Sequence, residues 1–126
     1  MVVKKKIVLA VDDATVNLQL VHSALKDEYT VRLAKSASIA LIELGRVIPD
    51  LILLDIEMPR ISGLDLLKQI RGDARLLNVP IVFLTSHAEM DVVMTALQQK
   101  GIKDYIVKPF EPEELRKRVR KVLDAT

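Results

Sequence analysis

Three aspartates, a threonine and a lysine stand directly after short aliphatic runs in this chain. The runs and the polar residues that follow them are Ile7–Val11 with Asp12 and Asp13, Leu51–Leu54 with Asp55, Ile81–Leu84 with Thr85, and Tyr105–Val107 with Lys108. If folding gathers them, the carboxylates repel one another unless a cation lies among them. Oxygen ligands without His or Cys favour a hard ion such as Mg²⁺. The ammonium and the hydroxyl would then hold the oxygens of an anion, and Asp55 would attack phosphorus to give an acyl phosphate.

Aliphatic runs of this length, bounded by turn residues, are typical of strands buried on both faces of a parallel sheet. Amphipathic stretches separate them, so strand and helix alternate five times along the chain. This alternation predicts an α/β fold, a doubly wound five-stranded parallel sheet with helices on both faces. The carboxyl ends of parallel strands share one edge, where open α/β sheets bind ligands. The polar residues are therefore predicted to form a single site.

Turn and capping residues predict several element boundaries. An alternating edge strand is predicted over Tyr29–Leu33, and Gly45 is predicted to end the second helix. The fifth strand is predicted to begin at Tyr105, and Pro112 is predicted to open the last helix.

Length and composition restrict the class of protein. The chain has 126 residues, half of them hydrophobic, which predicts one domain over residues 1–126 with a sizeable core. There is no cysteine, and no apolar run approaches the roughly 20 residues that span a bilayer. The net charge is +2 and aromatic residues make up 3%, which does not favour direct nucleic-acid binding. A cytoplasmic protein without membrane insertion is expected.

The motifs at the strand ends, taken together and in order, resemble those of a response-regulator receiver domain of two-component signalling. They are Val11-Asp12-Asp13, Asp55 with Met58-Pro59 and Gly63, Thr85-Ser86, and Tyr105 with Lys108-Pro109-Phe110. The resemblance extends over essentially the whole chain. It implies the flavodoxin-like strand order 2-1-3-4-5 of a chemotaxis receiver, with the strand of Asp55 between those of Asp13 and Thr85.

The resemblance also implies roles for the residues of the site. Asp55 is expected to be the phosphoacceptor, and Lys108 is expected to pair with the phosphoryl group. Asp13 and Asp55 are expected to bind Mg²⁺ directly. Asp12 would contribute through water, and Glu57 through its backbone carbonyl.

A second group of roles concerns the response to phosphorylation. Thr85 and Tyr105 are expected to form a switch pair, in which the hydroxyl moves to the phosphate and the ring turns inward. The Lys108–Pro109 bond is expected to be cis. Glu57 and His87 flank the expected phosphoryl position and are candidates for tuning its hydrolysis; the alternative is that both are solvated loop residues.

The implied partners are a histidine kinase or phosphotransfer protein as phosphoryl donor, and a downstream effector or output domain that the sequence does not identify. A phosphorylation-dependent homodimer is a further expectation. Asp104 resembles the acidic strand residue of receivers that dimerise there, and could meet the basic cluster Arg116–Lys121 across a two-fold axis. Lys103 departs from that pattern, because such receivers usually carry a second acid at its position.

Two other functions are compatible with parts of the pattern. A Mg²⁺-dependent phosphatase working through an aspartyl phosphate is the main alternative, but Glu57 would have to replace the second acid that such enzymes carry close after the nucleophile. A flavodoxin-like cofactor binder is the other, but no Ser/Thr/Gly-rich phosphate loop follows the first strand. Taken singly, Asp12-Asp13 and Thr85 could be helix caps, and Lys108 a solvated lysine.

Overall fold

The structure is a computed structural model that describes residues 4–98 and 101–125. Its strands are β1 (Ile7–Val11), β2 (Thr30–Ala34), β3 (Leu51–Asp55), β4 (Ile81–Thr85) and β5 (Ile102–Val107). Its α-helices are α1 (Thr15–Leu25), α2 (Ala37–Arg46), α3 (Gly63–Arg71), α4 (Met90–Ala96) and α5 (Pro112–Asp124). Short 3₁₀ helices cover Ala74–Leu76 and His87–Glu89.

All five strands form one parallel sheet in the order β2-β1-β3-β4-β5, which confirms the predicted fold. In the register, Val11 lies beside Leu54, Asp55 beside Leu84 and Thr85 beside Val107. β2 lies on one side of β1, whereas β3, β4 and β5 follow one another on its other side. The topological switch point therefore lies between the carboxyl ends of β1 and β3, and the carboxyl ends of β4 and β5 follow along the same edge.

The sheet separates two hydrophobic cores. One core joins the sheet to α2, α3 and α4, and the other joins it to α1 and α5. Successive residues of β3 enter them alternately, so that Ile52 and Leu54 pack into the first core while Leu51 and Leu53 pack into the second. Both faces of β3 are buried, which explains why this strand is a continuous aliphatic run.

Three predicted boundaries are wrong. β2 begins and ends one residue later than Tyr29–Leu33. Gly45 lies inside α2, which continues to Arg46, because its exposed position leaves the helix undisturbed. β5 begins at Ile102, three residues before Tyr105, because an edge strand tolerates charged residues that obscure its hydrophobic pattern. Pro112 does open α5, as predicted.

Gly63 brings the start of α3 against the end of β3. A Cβ atom at this position would lie 2.1 Å from the carbonyl oxygen of Asp55 and 2.8 Å from the Cα of Ile56. The Gly63 N–H donates to the Ile56 carbonyl at 2.9 Å. Because the obstructing atoms belong to the backbone, no side-chain rotation can relieve the overlap.

Replacing Gly63 by Ala should therefore displace the end of β3 that carries Asp55 and lower the free energy of unfolding by about 1–3 kcal/mol. Gly45 offers a matched control, because a Cβ there meets nothing within 4 Å and the residue is helical. Gly45→Ala should raise the free energy of unfolding by about 0.5–1 kcal/mol. Urea unfolding of both variants checks this, and equal stabilities would contradict the close approach at Gly63.

Candidate functional site

The predicted site residues meet at the carboxyl edge of the sheet. Asp55 is the last residue of β3 and Thr85 the last of β4, while Asp12 and Lys108 directly follow β1 and β5. Asp12, Asp55 and Thr85 are the buried polar side chains of the described chain, with exposed fractions of 0, 1 and 1%. Asp13 is exposed at the rim. The structure thus brings Asp12, Asp13, Asp55 and Lys108 together and places Thr85 at the end of the neighbouring strand, while their functional roles stay predictions.

Lys108 connects two of the carboxylates. Its Nζ lies 2.8 Å from Asp55 Oδ1 and 3.0 Å from Asp12 Oδ2. Asp12 also accepts hydrogen bonds from the Ala14 N–H at 2.9 Å and from Asn17 Nδ2 at 3.1 Å. Both oxygens of Asp12 therefore have protein donors.

Asp55 is less completely satisfied. Its Oδ1 accepts from Lys108 and, at 3.3 Å, from the Glu57 N–H. Its Oδ2 is buried and has no hydrogen-bond partner. Leaving a buried carboxylate oxygen unpaired is costly, so this atom is poised to bind a cation or form a bond.

The three aspartates have the donor set of a metal site. One carboxylate oxygen from each of Asp12, Asp13 and Asp55 can be chosen so that all lie within 4.8 Å of one another. Because every donor is a carboxylate oxygen, the cluster suits a hard divalent cation. Asp55 contributes one carboxylate oxygen to this cluster, so such an ion would offset part of its buried charge.

The pKa values of Asp55 and Lys108 are both shifted from their ordinary values. Burial raises the pKa of Asp55 to about 6 and the charge of Asp12 adds to this, although hydrogen bonds from Lys108 and the Glu57 N–H act in the opposite direction. Burial lowers the pKa of Lys108, but hydrogen bonds to Asp55 and Asp12 outweigh it and leave that pKa raised. Lys108 is therefore a permanent cation at neutral pH, and it lies beside a carboxylate whose ionised form is destabilised by burial.

Thr85 and Tyr105 lie on the same face of the sheet. Phe83 pairs with Tyr105 and Thr85 with Val107, and residues two apart in a strand point the same way. The Thr85 hydroxyl donates to the Ser86 carbonyl at 3.1 Å. The Tyr105 ring is half-buried against the core of α2, α3 and α4. The backbone therefore places both members of the predicted switch pair where they could respond together.

The two candidates for tuning hydrolysis differ in what the structure shows. Glu57 is exposed, and interaction with its carboxyl raises the pKa of Glu89. The side chain of His87 lies outside the described part of the chain, so its role stays a prediction. The Lys108–Pro109 bond is cis, as predicted.

Sequence reasoning missed Asn17 and Glu89, which interact with Asp12 and Glu57, and it missed the contact of Arg118 with Tyr105. Asn17 is the third residue of α1 and reaches back to Asp12. Its five-residue spacing from Asp12, at the start of a helix, is a signal that could have identified it. Arg118 lies over the Tyr105 ring and was indistinguishable by type from the other bases of α5.

Comparison with known proteins agrees with this geometry. The sequence model of the family described as response regulator receiver domain matches residues 8–120. The chain belongs to this family. It is therefore a phosphoaccepting switch domain of two-component signalling, and its acidic pocket of Asp12, Asp13 and Asp55 fits a metal and phosphorylation site.

Individual relatives extend the comparison. The probable transcriptional regulator ycf27 of Guillardia theta is 35% identical over 98% of this chain, which spans only 47% of that relative. The chemotaxis protein CheY of Pseudomonas aeruginosa is 28% identical over 93% of this chain and 95% of its own length. The crystal structure of the chemotaxis protein CheY4 of Vibrio cholerae has a TM-score of 0.83 at 32% identity, covering 94% of this chain and 98% of that one.

Among the described residues, none of the helices combines the length and the apolar character that a membrane span requires.

The raised pKa of Asp55 predicts how stability depends on pH. Between the ordinary value of 3.8 and about 6, the native state keeps a proton on Asp55 that the unfolded state loses. The stability contributed by neutral Asp55 is therefore present below pH 4 and lost as pH rises through about 6. In metal-free buffer, Asp55→Asn should be more stable than the wild type by about 1–3 kcal/mol at neutral pH, and the difference should vanish below pH 4.

Urea unfolding across this pH range measures the effect. Asp27→Asn, at an exposed position after α1, is the control and should show no such difference. Added Mg²⁺ should stabilise the wild type more than Asp55→Asn. A wild type that gained stability over Asp55→Asn as pH rose would contradict the unfavourable burial of the carboxylate.

Proposed function

We propose that this chain is a phosphorylation-activated signalling switch that accepts a phosphoryl group on Asp55. The donor would be a histidine kinase or a phosphotransfer protein, and the step would require Mg²⁺. The observation that carries the proposal is the state of the Asp55 carboxylate. Its Oδ1 is held by Lys108 at 2.8 Å, while its Oδ2 is buried without a partner at the edge where ligands bind.

This asymmetry supports Oδ2 as the oxygen that would react. In the transfer step, Oδ2 would attack phosphorus, the new oxygen–phosphorus bond would form, and the phosphorus–nitrogen bond of the phosphorylated donor histidine would break. The leaving imidazole keeps the electron pair. Lys108 holds the carboxylate in place beforehand and would pair with the phosphoryl oxygens afterwards.

Mg²⁺ would be held by Asp13 and Asp55 directly, with the Glu57 backbone carbonyl as a third protein ligand. Asp12 is better suited to a contact through water, because both its oxygens already have protein donors. When bound, the ion would offset the negative charge that gathers on the phosphoryl oxygens. The mutual repulsion of the three aspartates is a further reason for a cation at this position.

The switch would begin at Thr85. Its hydroxyl now donates to a neutral carbonyl, that of Ser86, and a charged phosphoryl oxygen is a stronger acceptor. Movement of the Thr85 hydroxyl toward Asp55 would change the space available on the face of the sheet that Thr85 shares with Tyr105. The Tyr105 ring would then turn inward. The phosphoryl group would thus shift a pre-existing equilibrium between two arrangements.

The protein would assist its own phosphorylation and dephosphorylation without turning over a substrate. Incubation with acetyl phosphate and Mg²⁺ should add one phosphoryl group to the chain, detected by intact mass. Asp55→Asn should abolish the labelling and Lys108→Met should slow it by about 100-fold or more, because the fixed charge at the phosphoryl oxygens is lost. Asp27→Asn is the control and should label normally.

The outcomes separate the candidate functions. Removal of Mg²⁺ with a chelator should stop labelling. Labelling that persisted in Asp55→Asn would contradict the assigned acceptor. Continuous release of phosphate from a generic phosphate ester, over many turnovers, would favour the Mg²⁺-dependent phosphatase instead.

Glu57 and His87 are proposed to set how long the phosphoryl group lasts. Glu57 is exposed and stands two residues beyond Asp55, and its side chain would border the path of an attacking water. We expect Glu57→Gln and His87→Ala to change the dephosphorylation rate about 3-fold or more, as groups bordering a proton-transfer path do, with Mg²⁺ affinity nearly unchanged. Decay of labelled protein measures this, with the exposed Glu111→Gln as control. Unchanged phosphoryl lifetimes in both Glu57→Gln and His87→Ala would contradict this proposal.

The wider context is proposed in the same terms. We take residues 1–126 as one receiver domain, because a single sheet with its helices accounts for the described chain and the family match extends over residues 8–120. A cytoplasmic location, no insertion into a membrane and no direct contact with nucleic acid remain our expectations. The downstream effector is not identified by the site.

A phosphorylation-dependent homodimer also stays a prediction. Asp104, expected to meet bases of a second copy, pairs with Arg118 of its own chain at 2.7 Å. A dimer through α4, β5 and α5 would therefore have to exchange this pair between protomers. Sedimentation velocity with and without beryllofluoride checks for it.

A further inference from the structure

Arg118 of α5 makes three contacts with one stretch of β5 and a fourth within its own helix. Its Nη1 donates to Asp104 Oδ1 at 2.7 Å and to the Tyr105 carbonyl at 3.1 Å. Its Nε donates to Glu114 Oε1 at 2.6 Å, one helical turn earlier. Its guanidinium carbon lies 5.9 Å from the centre of the Tyr105 ring. One side chain thus contacts both the backbone and the ring of Tyr105.

Asp104 reinforces this arrangement from the strand. The same Oδ1 atom that binds Arg118 accepts the Tyr105 N–H at 2.8 Å. The Tyr105 peptide groups on the free edge of β5 are therefore covered by an Asp104–Arg118 pair. Such a pair at the open edge of a sheet fixes the backbone from which the ring projects.

Other arginines of α5 point elsewhere. Arg120 donates to Glu28 at 2.6 Å, and Arg116 donates to the Ala24 carbonyl at 3.4 Å, both on the side of α1. The contacts of Arg118 with Tyr105 are thus a property of its position on the helix, not of a generally basic surface.

We propose that Arg118 is a positioning residue that holds Tyr105 in its resting place and so biases the switch toward the unphosphorylated state. The contact is present in the arrangement in which the Thr85 hydroxyl is turned to Ser86. Inward rotation of the ring would remove the cation from its face, while the bonds to Asp104 and Glu114 would keep Arg118 from following. The inference rests on the proposed function, because it assumes that Tyr105 moves.

The size of the bias follows from the contact. A guanidinium over a tyrosine ring at a partly exposed site favours the stacked state by about 2- to 5-fold. Arg118→Gln should therefore increase the apparent affinity for beryllofluoride with Mg²⁺ by about 2- to 5-fold. Arg118→Lys keeps the charge near the ring and should restore part of the wild-type affinity. Arg120→Gln removes the same charge from the same helix and should leave the affinity unchanged.

A second measurement reads the ring itself. The chain has two tyrosines and no tryptophan, so in a Tyr29→Phe background Tyr105 is the remaining tyrosine. Fluorotyrosine NMR without any phosphate mimic should show a larger inward population in Arg118→Gln than in Arg120→Gln. In a Tyr105→Leu background, Arg118→Gln should no longer change beryllofluoride affinity, because the contact it removes is already absent.

The results distinguish failure of this inference from failure of the proposed function. Equal affinity and equal ring populations in Arg118→Gln and Arg120→Gln would overturn the positioning role while leaving the phosphorylation switch intact. Absence of beryllofluoride binding in the wild type would overturn the switch, and the NMR comparison would still decide whether Arg118 holds the ring. An unchanged effect of Arg118→Gln in the Tyr105→Leu background would also overturn the role.

Discussion

The site depends on one ammonium group placed between two buried carboxylates. Lys108 lies within 3.0 Å of both Asp12 and Asp55, which have almost no exposed surface. Without this cation, two neighbouring charges would be buried in a medium of low dielectric constant, at a cost of several kcal/mol. With it, one carboxylate charge of the buried pair still lacks a counterion, and the proposed divalent ion would offset that charge.

The parallel sheet makes this placement possible. Lys108 and Asp55 are 53 residues apart in the chain, yet their strands end at the same edge with only β4 between them. Asp12 follows β1, and Asp55 and Thr85 end β3 and β4; these three strands are almost entirely buried, so the rigid interior determines where the three groups lie. The close contact of Gly63 with the backbone of Asp55 fixes the remaining loop. Because the packed core already holds the strands in place, little further conformational entropy is lost in ordering the site residues.

Much of this arrangement could be predicted from the sequence, because buried parallel strands leave an unambiguous pattern. The run Leu51–Leu54 identifies β3, and parallel topology then brings Asp55 to the others. The partners of Arg118 could not be predicted, because they depend on the rotation of α5 against its neighbours. Nor could the start of β5, since Lys103 and Asp104 occupy an edge strand with one side open to solvent. Apolar residues at helical spacing also do not always mark the buried face of a helix. Ile42 of α2, for example, is 56% accessible.

The division of the interior into two cores has a consequence for how a signal leaves the molecule. The layer of α1 and α5 is tied by cations at several places, including Lys6 to the Leu123 carbonyl and Arg120 to Glu28. Thr85 and Tyr105 face the other layer, behind a sheet whose central strand is inaccessible on both sides. A rearrangement there can repack one hydrophobic compartment while the opposite one keeps its shape. If Thr85 and Tyr105 respond as proposed, the sheet would confine the repacking to the layer of α2, α3 and α4, and Arg118 would be the contact through which α5 senses it.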